Sequence, residues 1–551
     1  YRNPVMRAGE RDQQLVLNDQ QRRIVDTVTG DYRQGIRKTY LIHGVTGSGK
    51  TEVYMGIIEK VIAEHKQVIV LIPEIALTFQ TVSRFYRRFG ERVSVMHSRL
   101  SQGEKFDQFE RAKAGEIDIM IGPRSALFTP FEHLGLIVID EEHETSYQSE
   151  MPPKYHAREV AVHRASMVGA SVILGSATPS LESYYRAQKG RYTLFTLTKR
   201  AGGASLPKVW VTDLREELER KNRSIFGGKL MELMQDRLAK KEQIILFLNR
   251  RGYAGSVSCR KCGEVIKCPH CSVSMTAHMH YGRLEHLVCH YCGYQATMPA
   301  LCPKCRSRYI GTFGIGTQKV EQLVRERFPQ ARVLRMDADT TTGKEGHEKI
   351  LRDFAAGSAD ILIGTQMIVK GHDFPNVTLV GILAADLSLN VGDFRAAERT
   401  YQLLAQAAGR AGRGEKPGDV VLQTYQPEHY SIVSAAKQDY LGFYEQELIQ
   451  RQILHYPPVS NILGVLVLSE QRGHAQELAD RLAEQMRRYE QVVILGPAPA
   501  SLSKAKDVYR YVIYAKCADY RILRQIKNGL EQYMKAQETY RDCRLQFDFN
   551  L

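Results

Sequence analysis

Eight residues constrain this chain more than any others: Gly44-Val45-Thr46-Gly47-Ser48-Gly49-Lys50-Thr51 fits G-x-x-x-x-G-K-[ST]. The run follows the apolar stretch KTYLIHG at 38–44 and precedes a helix-like segment, the strand–loop–helix context that the motif requires. Glycines let the backbone curl until its N–H groups converge on phosphate oxygens, and the helix start adds positive potential. Lys50 is placed to reach β- and γ-phosphates, and Thr51 to hold a divalent cation. The expected ligands are ATP and Mg2+, and the expected binding set is Gly44, Thr46, Gly47, Ser48, Gly49, Lys50 and Thr51. A chance glycine-rich turn would lack the flanking strand and helix.

Around the loop, short apolar runs alternate with helix-like segments. Strands are expected at 38–44, 67–73, 93–97, 118–122, 136–140 and 171–175. A second set is expected at 244–249, 331–337, 360–365, 379–386 and 419–425. Continuous apolar runs of this length fit strands buried on both faces of a parallel sheet, with the segments between them forming crossover helices. This predicts two doubly wound α/β units. From about residue 440 the character changes: helix patterns at 440–455, 474–489 and 519–537 alternate with strand patterns at 461–469, VVILG and 509–516, which reads as a small α+β domain.

The second α/β set is interrupted between Ser256 and Ile310 by four Cys-x-x-Cys pairs: Cys259/Cys262, Cys268/Cys271, Cys289/Cys292 and Cys302/Cys305. Each pair offers two thiolates from one tight turn, and two such turns make a closed tetrahedral site. Eight thiolates imply two structural zinc ions, with iron–sulfur as the alternative metal. Spacing leaves the pairing of the turns open. The insert carries seven Lys or Arg against two Asp or Glu and few long apolar runs, so metal supplies stability that a small core cannot. The remaining Cys517 and Cys543 are isolated and read as inert thiols.

Further motifs follow in order. LIVID at 136–140 leads into Glu141-Glu142-His143, which sets Asp140 and Glu141 at the end of an apolar strand. Asp140 is assigned to the metal and Glu141 to the attacking water. Asp-Glu-Glu-His resembles the superfamily 2 helicase pattern, and Gly175-Ser176-Ala177-Thr178-Pro179 resembles its motif III. Gln406-Ala407-Ala408-Gly409-Arg410-Ala411-Gly412-Arg413 resembles motif VI, which makes Gln406, Arg410 and Arg413 catalytic candidates, with Arg413 and then Arg410 as the arginine finger. Gln21 stands where this superfamily has an adenine-reading glutamine; a solvated helix start is the alternative.

Nearly the whole chain resembles the PriA (primosomal protein N′) family of bacterial replication-restart helicases. SYQSEMPPKYHAREVAVHRA at 146–165 is similar to the family's aromatic-rich loop, which implies DNA contacts by Tyr147, Tyr155, His156 and Arg158. Aromatic rings can stack on unpaired bases without reading sequence. Leu71–Thr78 and Gly122-Pro123-Arg124-Ser125-Ala126 resemble backbone-binding motifs of the first lobe, Asn249-Arg250-Arg251-Gly252-Tyr253 motif IV, and Lys370-Gly371-His372-Asp373-Phe374 part of motif V. Arg124, Arg250 and Lys370 are thereby implied phosphate contacts. The family usually shows Gly-Thr-Glu where this chain has Gly316-Thr317-Gln318, so residue 318 is given no role. For the insert, the resemblance implies nesting: Cys259, Cys262, Cys302 and Cys305 on one zinc, and Cys268, Cys271, Cys289 and Cys292 on the other.

The implied architecture is α/β: two RecA-like P-loop helicase lobes, a Cys-rich two-zinc insert in lobe two, and a C-terminal α+β domain. The expected order is a linker at 1–16, lobe one at 17–200, the start of lobe two at 201–255, the insert at 256–310, the remainder of lobe two at 311–438, and the C-terminal domain at 439–551. The chain starts on Tyr1 in a polar, linker-like stretch, so further sequence is expected before it; the family's N-terminal 3′-end-binding domain and winged helix are not visible.

Charge agrees with a polyanionic partner: 76 Lys and Arg against 61 Asp and Glu give a net +15. No run is apolar enough to span a membrane. The resemblance implies an ATP-dependent, 3′-to-5′ DNA helicase that remodels stalled or abandoned forks and promotes primosome assembly. Its implied partners are forked and single-stranded DNA, the tail of single-stranded DNA-binding protein, and primosome or helicase-loader proteins. Its implied place is the cytoplasm, associated with the nucleoid. Another superfamily 2 motor lacks a reason for the eight-cysteine insert, and a non-hydrolysing fork scaffold lacks a reason for the complete set of P-loop, carboxylates and arginines.

Overall fold

The computed structural model describes residues 16–73, 79–98, 100–200, 206–248, 256–280, 283–312, 316–337, 340, 346–365, 368, 374–412 and 416–550. The described chain forms two compact units.

The first unit runs to Pro207, with short stretches inside Met367–Asn376 and Gly412–Pro417 packed with it. Its strands are β1 (Thr39–Gly44), β2 (Gln67–Leu71), β3 (Val93–Val95), β4 (Ile119–Gly122), β5 (Leu134–Asp140), β6 (Ser171–Ser176) and β7 (Thr193–Leu197). Its helices are α1 (Asp19–Arg33), α2 (Lys50–Ala63), α3 (Phe79–Phe89), α4 (Gln102–Lys113), α5 (Ala157–Val168) and α6 (Leu181–Gln188). The sheet order is β3-β4-β2-β5-β6-β1-β7, and every pairing is parallel. Strands β2 and β4 are buried at every residue because helices cover both sheet faces. Edge strand β7 is half-buried and carries no continuous apolar run, and it was not among the expected strands.

The second unit contains a six-stranded parallel sheet. Its strands are β8 (Lys208–Asp213), β9 (Gln243–Phe247), β15 (Val333–Met336), β16 (Ile361–Gly364), β17 (Val377–Ile382) and β18 (Asp419–Thr424), in the order β15-β16-β9-β17-β18-β8. Between β9 and β15 lie the insert's strands β10 (Val257–Cys259), β11 (Thr276–His280), β12 (Arg283–Val288), β13 (Gln295–Thr297) and β14 (Ile310–Thr312). They make a β10–β14 pair and an antiparallel β11–β12–β13 sheet. The helices of this part are α7 (Leu214–Glu219), α8 (Gly228–Ala239), α9 (Thr317–Arg327), α10 (Gly346–Ala355), α11 (Asp386–Leu389), α12 (Ala396–Ala408), α13 (Tyr430–Lys437) and α14 (Tyr440–Ile453).

The chain ends in an antiparallel sheet of β19 (Asn461–Ser469), β20 (Val493–Ala505), β21 (Val508–Cys517) and β22 (Arg544–Phe549), ordered β20-β21-β19-β22. Helices α15 (Arg472–Arg487) and α16 (Tyr520–Lys535) pack on it around Leu478, Leu482, Ile513 and Leu523. Strand β20 continues through Pro497 and Pro499, where sequence reasoning stopped it at VVILG. Its edge position explains this, since an edge strand tolerates residues that cannot donate to a ladder. Arg451 on α14 is 1% exposed and donates to Glu447, to Glu398 on α12 and to the carbonyl of Pro457, which locks the start of the C-terminal domain to α12.

Candidate functional site: the nucleotide pocket and two metal centres

The expected nucleotide-binding residues converge at the end of β1. Gly47 and Gly49 take positive φ, 80° and 78°, and Gly49 caps α2 without a side chain, leaving the helix start open to an anion. A Cβ on Gly44 would stand 2.6 Å from Ser48 Oγ and 3.1 Å from Lys50 Cγ, so the loop closes only around glycine. Lys50 is 9% exposed and its Nζ donates to the Gly44 carbonyl at 2.8 Å, which keeps the ammonium inside the loop. Ser48 Oγ is buried with no hydrogen-bond partner, a polar atom that a phosphate would satisfy. Gln21 caps α1 in a box with Asn18, and its Nε2 donates to the Ser48 carbonyl at 2.9 Å. An amide carries two donors and two lone pairs, so one of each remains for a base.

Asp140 ends β5 and lies close enough to the loop for the charge of Lys50 to act on its carboxyl. Burial and the neighbouring Glu141 push its carboxyl up to about 6, while Lys50 and the Tyr54 hydroxyl pull it down. Glu141 sits at φ 46°, a left-handed conformation that L side chains rarely adopt, and its Oε2 is buried with no hydrogen-bond partner. The Nδ1 of His143 lies 3.6 Å from that oxygen, and carboxylates at the end of the strand beside the loop are the hard oxygen donors that a divalent cation takes. ATP and Mg2+ therefore fit the residues present.

Two links tie this pair to the next motif. His143 Nδ1 lies 2.7 Å from Ser176 Oγ, and Ser176 Oγ accepts the Thr178 N–H at 2.9 Å. Glu142, fully buried, accepts from Ser180 N at 2.7 Å, from Ser183 Oγ at 2.7 Å and from Arg158 Nη1 at 3.1 Å. Sequence reasoning missed the pair Glu142–Arg158 and also Tyr54, because a buried aromatic or carboxylate carries no spacing signal until its partner is known.

The structure corrects two of the expected DNA contacts. Tyr147 is 1% exposed and its hydroxyl donates to the Asp140 carbonyl at 2.8 Å, so no base can stack on it in this conformation. Arg158 is 5% exposed and neutralises Glu142, so it does not reach a phosphate. His156 accepts the Arg158 N–H at 3.1 Å as the cap of α5. Tyr155 is half-buried, edge-on to the 52%-exposed Phe128 at 5.5 Å, and Arg124 lies over its ring at 5.6 Å. Arg124 also donates to the carbonyls of Ser146 and Gln148, on either side of Tyr147. In the second unit Gln406 and Arg410 are partly exposed at the end of α12 and just beyond it. Arg413, Arg250 and Lys370 lie outside the described residues.

The cysteines gather into two sets, Cys259/Cys262/Cys302/Cys305 and Cys268/Cys271/Cys289/Cys292, each with its four sulfurs within 4.8 Å of one another. Cross-pair sulfurs stand 3.7 Å (Cys259–Cys305), 3.6 Å (Cys262–Cys302) and 3.6 Å (Cys268–Cys292) apart. A tetrahedron with zinc–sulfur bonds of about 2.3 Å has edges of about 3.8 Å, so the spacing fits zinc and is far too long for disulfides. All four turns share one backbone design. The first cysteine carbonyl accepts from the residue after the second: Gly263, Ser272, Gly293 and Arg306, at 2.8–2.9 Å, and each of those residues has positive φ. At Gly263 a Cβ would also fall 2.2 Å from the Tyr425 carbonyl, so the first centre leans on the end of β18. The second centre leans on the C-terminal domain: Tyr291 stacks on Tyr514 at 4.7 Å, and His290 Nδ1 donates to the Pro499 carbonyl at 3.0 Å.

Known families match four stretches of this arrangement. The DEAD/DEAH box helicase family matches residues 18–187 and the helicase conserved C-terminal domain residues 308–415. The PriA DNA helicase Cys-rich region domain matches residues 268–296, and the primosomal protein N C-terminal domain residues 452–550. Replication restart protein PriA of Bacillus subtilis is 47% identical over 553 residues, covering 100% of this chain and 68% of that protein. The Synechocystis protein of that name is 45% identical, covering 86% and 58%, and the Haemophilus influenzae one 40%, covering 97% and 72%. The chain thus spans roughly two thirds of the length of these relatives, and its two parallel-sheet lobes are RecA-like. With two helicase lobes, a paired four-cysteine insert and the matching C-terminal domain in one chain, this protein belongs to the PriA family of ATP-dependent DNA helicases that serve replication restart and primosome assembly.

Proposed function

We propose that the chain moves 3′-to-5′ on DNA at stalled or abandoned forks, remodelling them and promoting primosome assembly. The observation that supports this best is the pair of bonds that tie the segment carrying the nucleotide carboxylates to motif III and to the aromatic-rich loop: His143 to Ser176, and Tyr147 to the main-chain carbonyl of Asp140. A change at the carboxylates is thereby felt where DNA is expected. In this reading Lys50 and Thr51 hold phosphate and Mg2+, Asp140 binds the metal, and Glu141 orients the water. Gln406 belongs to the same machinery, Arg413 or Arg410 meets charge developing on the γ-phosphate, and Gln21 contacts adenine. Arg124, Tyr155 and His156, with Arg250 and Lys370, are the proposed DNA contacts. The proposed domain limits are those expected from the sequence.

The partners in this proposal are forked and single-stranded DNA, the acidic tail of single-stranded DNA-binding protein, and helicase-loader proteins. The protein works in the cytoplasm, on the nucleoid. Lys504, Lys506 and Arg510, on and around the β20–β21 turn, are the proposed basic contacts; Lys504 is already paired with Asp507 at 2.9 Å. The test is ATP turnover with single-stranded DNA, duplex, fork and RNA in parallel, together with displacement from 3′- and 5′-tailed duplexes. Fork-preferring turnover and displacement from the 3′-tailed duplex are expected. Equal stimulation by RNA, or displacement only from the 5′-tailed duplex, contradicts the reading.

The insert is proposed to act as a basic wedge at the strand junction. Cys259→Ser is expected to reduce duplex unwinding more than single-strand-stimulated ATP turnover, as read from both assays on one preparation. Equal losses in the two would remove the wedge.

A further inference from the structure

Tyr54 lies four residues after Lys50 on α2, about one helical turn on, and is 1% exposed. Its hydroxyl donates to Asp140 Oδ1 at 3.1 Å. The sheet register sets Asp140 directly beside Gly175 on the neighbouring strand β6. A Cβ built on Gly175 would fall 1.5 Å from the Tyr54 oxygen and 2.6 Å from its Cζ, so the phenol fills the space that a side chain at 175 would take. Gly175 sits inside a regular strand and is not among the positive-φ glycines, so backbone freedom does not explain a glycine there; the ring does.

Asp140 is held by two phenols at two different points. Tyr147 takes its main-chain carbonyl, and Tyr54 takes one side-chain oxygen. A carboxylate with one oxygen fixed presents the other in a set direction, which is how outer hydrogen bonds orient metal-binding carboxylates. A tyrosine that merely buried its ring could leave its hydroxyl on any nearby carbonyl. Here the ring is threaded through a glycine notch to reach this carboxylate.

We infer that Tyr54 is a positioning residue for the metal-binding carboxylate, and that Gly175 is glycine in order to admit it. The inference rests on the reading of Asp140 as the metal ligand. It acts on the side chain alone, so it makes a prediction about metal affinity that a general packing role does not.

The test titrates Mn2+ into the full chain with ADP present, following unbound Mn2+ by electron paramagnetic resonance, and measures ADP binding without metal as a control. Asp140→Asn is expected to remove most ADP-dependent Mn2+ binding. Tyr54→Phe, which keeps the ring, is expected to weaken it by about 10-fold or more, the cost of losing an outer-shell partner, with metal-free ADP affinity unchanged. Gly175→Ala retains the hydroxyl but displaces the ring, and is expected to show the same defect; should it fail to fold, Tyr54→Phe decides. Wild-type Mn2+ binding by Tyr54→Phe alongside loss in Asp140→Asn overturns this inference alone. An equal fall in metal-free ADP affinity overturns it too, because the residue would then support the pocket as a whole. Wild-type Mn2+ binding by Asp140→Asn overturns the underlying assignment, and this inference with it.

Discussion

Lys50→Ala is expected to lower DNA-stimulated ATP turnover by about a hundred- to a thousand-fold, the cost of losing one preorganised donor where charge develops. The ammonium is almost fully buried and rests on the carbonyl of Gly44, so it is in place before any phosphate arrives and needs no reorganisation. The loop itself should survive the change. Its shape is set by the left-handed Gly47 and Gly49 and by the close contact of Gly44 with Ser48, none of which involves the lysine side chain terminus. The loss should therefore appear in steady-state turnover at saturating single-stranded DNA, with the thermal midpoint little changed. Lys50→Arg is not expected to rescue it, because a planar five-donor group does not replace a compact ammonium in a closed loop.

Arg158→Ala is expected to destabilise the first unit by about 3–5 kcal/mol, the usual cost of stranding a buried charge. Glu142 has no exposed surface, and Arg158 is its cationic partner; the guanidinium also donates to Ser180 and Ser183, so one side chain joins α5, the turn after motif II and the start of α6. Removing it leaves a carboxylate with hydroxyl and amide donors but no counter-charge. Urea unfolding followed by a probe in the first unit should show the lower midpoint. The double change Glu142→Gln with Arg158→Met should recover much of the loss, since an apolar or neutral replacement of a buried pair is often close to neutral. If the single change cost no more than a surface substitution, the network would not be holding this region together.

The legible parts of this fold share one property. Strands β1, β2, β5 and β6 are covered on both sheet faces, so their sequences are unbroken apolar runs such as QVIVL and LIVID. Edge strands β7 and β8 are half-exposed, and TLFTL and KVWVTD mix polar and apolar residues at spacings that do not distinguish a strand from a loop. The same contrast holds at the site. Lys50, Asp140 and the eight cysteines are set by local spacing, which the chain carries openly. Tyr54 meets Asp140 across 86 positions, and nothing on α2 marks it off from a core aromatic. Tyr147 and Arg158 show the reverse error. A tyrosine and an arginine in a loop read as a stacking platform and a phosphate contact, yet the tyrosine hydroxyl finds a main-chain carbonyl and the arginine finds Glu142. Side-chain type fixes what a residue can bond to, while tertiary distance decides which partner it gets.

In the proposed function, triphosphate gripped at Lys50 and Asp140 drives strand separation. Displacement of a labelled strand from a model fork, with and without ATP, by the wild-type chain and by Lys50→Ala, tests it most directly. ATP-dependent release by the wild type and none by Lys50→Ala is the expected result. Release that proceeds equally without ATP, or that survives loss of the lysine, would contradict it.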